Sequence, residues 1–552
     1  MNDNVLKFTA LSGTISVTEN LYVYETKNDM LVVDCGVGFP DLEMPGIELV
    51  LPDFSYIVKN KAKLRGIVLS QGHEDHIGAV PYLLQEVSVP VWGAPLTVEF
   101  LQEKFRDFKI SKTDLRTFHP ERDEFEVGSF KVSPFRVTHS LPDACGFAID
   151  TPAGRIFHVP EHKMNQDPVD GMPFDIARAK KLAGEKENLF LASDCLGANK
   201  PGFTESEQDI EKNMLAIVQK AKQAVFTTAI SSNIGRFQQM VNVAQKTGRK
   251  VIFVGRSIIT KTQKAHKLGY LKYLPGSVIQ LRDAQQYGPH QLMYVVSGCY
   301  GQEGSSLYRL STGEYDGMET AEGDMMVFSA NPAPPHTKES QNSMVDDLID
   351  RGVDVHYHEV DEGLYVSGHG KQEDIKALFN IVKPKYFIPI GGEIRYMHAY
   401  EKLVLAEGHS KDQVFKLKPG DNITFEGDKV TKGQRIHIKS VLVHGRGIGD
   451  IGKVVLGDRS VLGTEGVVVI IFKVDKNKKL VENPQIVTRG FVYQGKSRNL
   501  LNDATARLAS FVKAKNTKNI KALKDDITRF LENHFYKVTA RKPMILPVVV
   551  EV

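Results

Sequence analysis

Short apolar runs alternate with stretches of helical spacing from the first residues to about residue 430. Met30-Leu31-Val32-Val33-Asp34-Cys35-Gly36 has the unbroken apolar run of a buried strand that ends in a turn. Leu64 to Ser70 reads the same way and runs into Gln71-Gly72. The spacing predicts a helix over His76 to Val87. Ala224 to Ile230 and Lys250 to Gly255 are further short strands, with a helix over Arg236 to Lys246 between them. Strands alternating with helices predict α/β layers. From Asp421 to Gly452 the chain turns polar and rich in Gly, Lys and His, as a linker or a small β-element would be. The tail beyond it predicts strands near Val454, over Gly466 to Val474 and over Ile545 to Val552. Its helix from Ile520 to Phe535 repeats Leu523, Ile527, Leu531 and Phe535 on one face. A tail of about 100 residues is long enough for its own small core. The series Lys513, Lys515, Lys518, Lys521 and Lys524 reads as a solvated helix face.

Composition narrows the class. A chain of 552 residues predicts about three or four domains. Its 41% hydrophobic and 25% charged residues exclude general disorder. Seventy basic against sixty-seven acidic residues exclude a globally basic nucleic-acid binder, so any such contact must use a local patch. The four cysteines, Cys35, Cys145, Cys195 and Cys299, form no CxxC pair, which argues against a disulfide framework or a thiolate zinc site. Met1 to Ser12 lacks the pattern of a signal peptide, and the most apolar run, Val467 to Phe472, is too short to span a bilayer. A reducing cytoplasm fits these features.

Chemistry concentrates at Ser70-Gln71-Gly72-His73-Glu74-Asp75-His76, where a strand ends and a helix begins. Side chains at the carboxyl end of a sheet are where α/β proteins place ligands. His73, Asp75 and His76 put two imidazoles and a carboxylate on one tight turn, a donor set suited to zinc and other divalent ions. His139 and Glu161 each follow another strand-like run and are candidates to complete the set.

This arrangement resembles the metallo-β-lactamase fold, whose signature is H-x-H-x-D-H. More narrowly, it resembles the ribonuclease J family of β-CASP ribonucleases. His139-Ser140-Leu141-Pro142-Asp143, Ser193-Asp194, Ser232-Asn233-Ile234 with Arg236, Gly255-Arg256-Ser257 and Gly301-Gln302-Glu303 match that family's blocks in order. Ser367-Gly368-His369 matches its phosphate-binding segment, and Arg489-Gly490-Phe491-Val492-Tyr493 and Arg541 to Pro547 match its C-terminal domain. Four functional positions depart from the pattern. Gln71 stands for the first signature histidine, Glu161 for the bridging aspartate, Gly391 for a late histidine, and Tyr365 for the first histidine of H-x-S-G-H.

The resemblance implies an α/β fold: a metallo-β-lactamase αββα sandwich, residues 1–205 and 367–425, with a β-CASP domain inserted at 206–366. A linker over 426–452 and a small α/β C-terminal domain at 453–552 complete it. It implies up to two divalent ions, zinc first and manganese or magnesium as alternatives, on His73, Asp75, His76, His139 and Glu161. Asp75, Asp194 and His369 are the implied catalytic groups. Ser232, Asn233, Ile234, Tyr365, Val366, Ser367, Gly368 and His369 are the implied grip on single-stranded, 5′-monophosphorylated RNA. The activity implied is metal-dependent RNA hydrolysis, 5′-to-3′ exonucleolytic with endonuclease action besides, in rRNA maturation and mRNA decay. Gln71 and Gly391 leave a second reading open: a weakly active or inactive paralogue that binds RNA and assembles with an active family member. A dimer, a tetramer or a hetero-oligomer with a paralogue is the implied assembly.

Overall fold

The computed structural model describes residues 4–41, 43–185, 187–330, 337–445, 447–476, 480–492, 498–515 and 519–552. Arg446, Tyr493 and Lys518 fall outside them. The chain divides into two compact units, Met1–Phe39 with Leu49–Val441, and Pro40–Glu48 with Leu442–Val552.

The first unit is built on two facing sheets. One has eight strands, in the order Lys429–Lys432, Asn422–Glu426, Val5–Ser12, Leu21–Glu25, Met30–Val33, Leu64–Val68, Val91–Gly93 and Leu115–Thr117. The other has six, in the order Pro384–Ile390, Asn188–Asp194, Gly154–Val159, Cys145–Thr151, Phe130–Arg136 and Phe125–Val127. Strands such as Leu21–Glu25 and Met30–Val33 are buried along their whole length, which explains their unbroken apolar runs. Between the sheets pack Phe8, Tyr24, Phe147, Ile156, Phe190 and Phe425. On the outer side of the six-stranded sheet, the helices Ile176–Ala183, Gln372–Val382 and Ile394–Ala406 bury Leu182, Leu378 and Tyr400 against it. This is the sandwich that the sequence predicts.

An all-parallel five-stranded sheet sits in the same unit, in the order Lys250–Val254, Leu292–Val296, Val225–Thr228, Met325–Phe328 and Asp354–His356. Its core is Phe226, Ile252, Val296, Leu307, Met326 and Leu348. In the second unit, Val467–Val474 pairs antiparallel with Gln485–Arg489 and parallel with Met544–Glu551. Val468, Ile470 and Phe472 point to one face and pack on Leu508, Leu523, Ile527 and Leu531 of the helices Arg498–Ala514 and Ile520–Thr539.

Three local expectations change. The helix expected over His76 to Val87 is two short ones, Glu74–Ile77 and Val80–Leu83. Pro81, which has no N–H to donate, sits in the first turn of the second and stops a continuous ladder. The strand expected near Val454 is the helix Lys453–Thr464. Its Val-Val pair favours a strand only weakly, and a helix satisfies its own backbone without an edge to join. Within 426–452, Lys429–Lys432 is an edge strand of the eight-stranded sheet, and Val441–His444 pairs with Gly447–Ile448. The four cysteines are buried and free. Among the described residues, no helix is long and apolar enough to cross a membrane.

Phe190 is fully buried and has the rings of Phe425, Phe8 and Tyr24 at centroid distances of 4.9, 5.7 and 6.3 Å. Phe190→Ala should cost about 3–5 kcal/mol, the usual range for a truncated core aromatic, read from a guanidinium unfolding curve.

Candidate metal centre

Strand direction gathers the site. Phe130–Arg136 and Gly154–Val159 both run antiparallel to Cys145–Thr151 between them, so their carboxyl ends share one rim. Asn188–Asp194 and Pro384–Ile390 are parallel to Gly154–Val159 and end there too. These ends deliver His139, Glu161, Asp194 and Gly391. Across the sandwich, the turn after Leu64–Val68 delivers Gln71, His73, Asp75 and His76. The turn lies directly against Gly36, where a Cβ would come within 1.5 Å of the Asp75 carbonyl oxygen. Only a glycine allows that approach.

The expected ligands form two groups that share Glu161: His73, His139 and Glu161, and Asp75, His76 and Glu161, each with ligand atoms within 4.8 Å of one another. His73 Nδ1 lies 3.3 Å from His139 Nε2, which is 2.9 Å from Glu161 Oε2. His76 Nε2 lies 3.3 Å from Glu161 Oε1 and 3.5 Å from Asp75 Oδ2. Outer partners orient both groups. His139 Nδ1 faces the Gly368 carbonyl at 2.9 Å, and His73 Nε2 faces Ser140 Oγ at 2.9 Å. His76 Nδ1 pairs with Asp34 Oδ2 at 2.8 Å. A carbonyl or carboxylate behind a ligating imidazole fixes its tautomer and raises its basicity.

The charges follow from this crowding. Burial, and then His139, hold the His73 imidazole well below its ordinary value and so neutral. Burial also opposes charge on His76, but Asp75, Asp34 and Glu161 outweigh it and hold that imidazole well above its ordinary value. Burial pushes the Asp75 carboxyl up to about 6. Glu161 is held well below the usual carboxylate range, because His76, His139 and His369 outweigh its burial. The neutral His73 imidazole, the His139 ring and the Glu161 carboxylate converge in a buried pocket, a donor set that fits a divalent cation of the zinc or manganese type.

Beside this pocket, His369 Nδ1 pairs with Asp194 Oδ2 at 2.7 Å, and Asp194 Oδ1 accepts the Leu196 N–H at 2.8 Å. Burial opposes charge on His369, but Asp194 and then Glu161 push it up to about 9. The His369 ring stands edge-on to His139 at a centroid distance of 5.7 Å.

A cleft opens from the same place. His139, Ser140, Asn165, Asn233, Ile234 and Tyr270 are among its walls. Asn233 caps the helix Ile234–Lys246, its side chain accepting the Arg236 N–H at 2.9 Å. The expected substrate residues therefore divide. Asn233 and Ile234 reach the cleft that holds His139, with the mostly buried Ser232 adjoining them in the chain. Ser367, Gly368 and His369 form the turn behind His139, and Ser367 Oγ accepts the His369 N–H at 3.1 Å. Val366 is buried, and Tyr365 lies beside His358 with ring centroids 6.4 Å apart; neither lines the cleft.

Sequence reasoning passed over several supports. Asn20 Nδ2 donates to the Asp75 carbonyl at 3.1 Å and to Asp75 Oδ2 at 3.3 Å. Asp34 also accepts from the Ser70 N–H and Oγ, both at 2.8 Å. Lys163, fully buried, donates to Glu207 and to the Ser367 carbonyl, and Glu207 faces the buried Arg236 at 3.6 Å. An aspartate closing an otherwise apolar strand was the visible signal for Asp34; Asn20 and Lys163 had none.

Comparison with known proteins agrees with this architecture. Residues 222–348 match the family model described as Ribonuclease J, beta-CASP domain, and residues 454–552 the Ribonuclease J C-terminal domain. Residues 30–173 match a beta-lactamase superfamily domain, and 352–415 a Zn-dependent metallo-hydrolase RNA specificity domain. The chain is 35% identical over 561 residues to Ribonuclease J2 of Bacillus subtilis (strain 168), spanning 100% of this chain and 99% of that one. It is 32% identical over 552 residues to Ribonuclease J 2 of Staphylococcus aureus (strain MRSA252), spanning 99% and 98%. A crystal structure of a protein of unknown function from Enterococcus faecalis V583 shares the fold, with TM-score 0.54 and 15% identity over 76% of this chain and all of that one.

Gly36→Ala should displace the whole His73–His76 turn, since the added carbon meets backbone and not a movable side chain. The expected result is a loss of about 1–3 kcal/mol or more in denaturant unfolding together with weakened divalent-metal binding in calorimetry.

Proposed function

Since the chain belongs to the ribonuclease J family, we propose that its pocket is the active site of a metal-dependent RNA phosphodiester hydrolase. The observation that carries this reading is the convergence of His73, His139 and Glu161 in one buried pocket, with the His369–Asp194 pair beside it. His73, Asp75, His76, His139 and Glu161 are the residues that would hold a divalent cation. When bound, such an ion polarises a phosphoryl oxygen and lowers the pKa of water.

The chain's own groups supply the rest. Asp194 holds the imidazole of His369 charged, so its second N–H is a donor aimed at a phosphate oxygen or at the departing oxygen. Asp75, pushed up to about 6, can hold or release a proton near neutral pH. Ser232, Asn233 and Ile234 place the amino end of a helix at the cleft, where its N–H groups favour an anion such as a backbone phosphate or a 5′-monophosphate. Contacts of this kind position RNA without reading its sequence. Ser367 and Gly368 act by holding His369 and His139 in place, and Tyr365 and Val366 contribute from behind this turn. A pocket that grips a 5′-phosphate beside the hydrolytic centre supports 5′-to-3′ exonuclease action, on RNA in maturation and decay.

The test is degradation of a 5′-monophosphorylated RNA by the pure protein with manganese or zinc. His73→Ala and His139→Ala should each lower the rate by more than about 100-fold, beyond the 10–100-fold that outer-shell changes typically cost. Gln71 and Gly391 favour a second reading, an RNA-binding subunit that assembles with an active paralogue. RNA bound and left intact by all three proteins would select it.

His369 titrates upward, so its protonated form is complete at neutral pH and is lost as pH rises through about 9. Activity should fall on that limb. Asp194→Asn removes the carboxylate paired with His369, and the falling limb should move to lower pH by about one unit or more in a kcat/KM profile.

A further inference from the structure

We propose that the pocket takes a single divalent ion, on His73, His139 and Glu161, and that the carboxamides of Gln71 and Asn20 fill the place of a second. The inference rests on the reading of this pocket as a metal site and decides how many ions that site holds.

The two ligand groups differ in what faces them. In the first, the Gly368 carbonyl can only accept, so the hydrogen of His139 sits on Nδ1 and a bare Nε2 points into the pocket. Ser140 Oγ takes the Nε2 side of His73 and leaves Nδ1 facing inward, 3.3 Å from His139 Nε2. These two nitrogens and Glu161 Oε2 are acceptors brought together; the Gln71 amide donates to that oxygen, and among the described residues no side-chain amide faces either nitrogen. A cation is the partner that such a trio lacks.

The second group already has its donors. Gln71 Nε2 donates to Glu161 Oε2, the oxygen that also faces His139, and lies 3.0 Å from His76 Nε2. Asn20 Nδ2 lies 3.3 Å from both His76 Nε2 and Asp75 Oδ2. An NH2 group has hydrogens to offer and no lone pair for a metal. Asp75 and Glu161 thus each meet an amide donor, and both NH2 groups crowd His76 Nε2 where a second ion would have to stand.

The orientation of both amides is set by chemistry. Asn20 Nδ2 faces the Asp75 main-chain carbonyl at 3.1 Å as well as its carboxylate, two acceptors that only the NH2 end can satisfy. Turning Gln71 over would press its carbonyl oxygen against the Glu161 carboxylate. Its Oε1 is instead left buried and without a partner among the described residues, so Gln71 is held through its nitrogen. Among the described residues, no side chain from the far strand stands where the family pattern has a histidine. Gly391 has φ +66°, and a Cβ there would meet only the Pro160 carbonyl oxygen at 3.5 Å and Asp194 Oδ1 at 3.7 Å.

The test is metal stoichiometry of the full-length protein. The chain is stripped with a chelator, dialysed against zinc or manganese and freed of excess, and metal per chain is measured by mass spectrometry and titration calorimetry. The expected ratio is one. His139→Ala and His73→Ala should lower it at least tenfold, and Asp75→Asn should keep it at one, with circular dichroism melts confirming that each variant is folded. A ratio of two in the natural chain overturns the proposal, as does a ratio of zero in the folded natural protein. Loss of the ion in Asp75→Asn with retention in His139→Ala also overturns it. The readout needs no RNA. A ratio of one without RNA cleavage would defeat the hydrolase reading alone, and a ratio of two with cleavage would defeat this inference alone.

Discussion

The buried pair between Asp34 and His76 holds the site to the fold. Both side chains are fully shielded, and Asp34 Oδ2 meets His76 Nδ1 at 2.8 Å. Asp34 sits at φ +59°, a conformation uncommon for a residue other than glycine, at the exit of Met30–Val33. In that position it also accepts both hydrogens that Ser70 offers. One carboxylate therefore ties two parallel strand ends to the turn that carries His73, Asp75 and His76. Removing one partner of a buried pair typically costs about 3–5 kcal/mol, because the other is left charged and alone. The strain at Asp34 persists because three hydrogen bonds over-determine it.

Everything delivered from the opposite sheet is placed against this fixed turn. Glu161 is reached from both sides, by His76 on Oε1 and by His139 on Oε2. His139 is backed by the Gly368 carbonyl, and the next residue, His369, is paired with Asp194. The segment Ser367–His369 is in turn held by Lys163, whose ammonium is buried and bonded to Glu207 and to the Ser367 carbonyl. A chain of charge-assisted bonds thus runs from the cleft wall to the ligand set without passing through solvent. Such bonds are about twice as strong as neutral ones and geometrically stricter.

Much of this was legible in the chain. The donor residues His73, Asp75, His76, His139 and Glu161 sit at strand ends, as their position after apolar runs predicts, and the family blocks fall on the expected scaffold. The supports were not legible, for a physical reason. Asn20 and Lys163 act at long range in sequence, 55 residues from Asp75 and 44 from Glu207, and neither carries a local pattern. At Lys453–Thr464 two adjacent valines suggest a strand, while a helix supplies its own backbone hydrogen bonds, which a short window of sequence does not show. Tyr365 could be named from its block, but only packing shows that it is half-buried against Arg236 and Glu207 and is not itself a wall of the cleft.

Gln71 looks at first like decay of a ligand. Its surroundings argue for replacement. A histidine lost at random would leave Glu161 buried with an acceptor oxygen unmet, and an unsatisfied buried charge costs several kcal/mol. Gln71 meets that oxygen with an N–H, and Asn20 does the same for Asp75. Gln71 thus presents its NH2 group to Glu161 and His76 where the family pattern has a histidine. The other half kept both imidazoles, their tautomer-setting partners and the shared carboxylate. The two halves meet at Glu161 Oε2, which faces the Gln71 amide on one side and the His139 imidazole on the other.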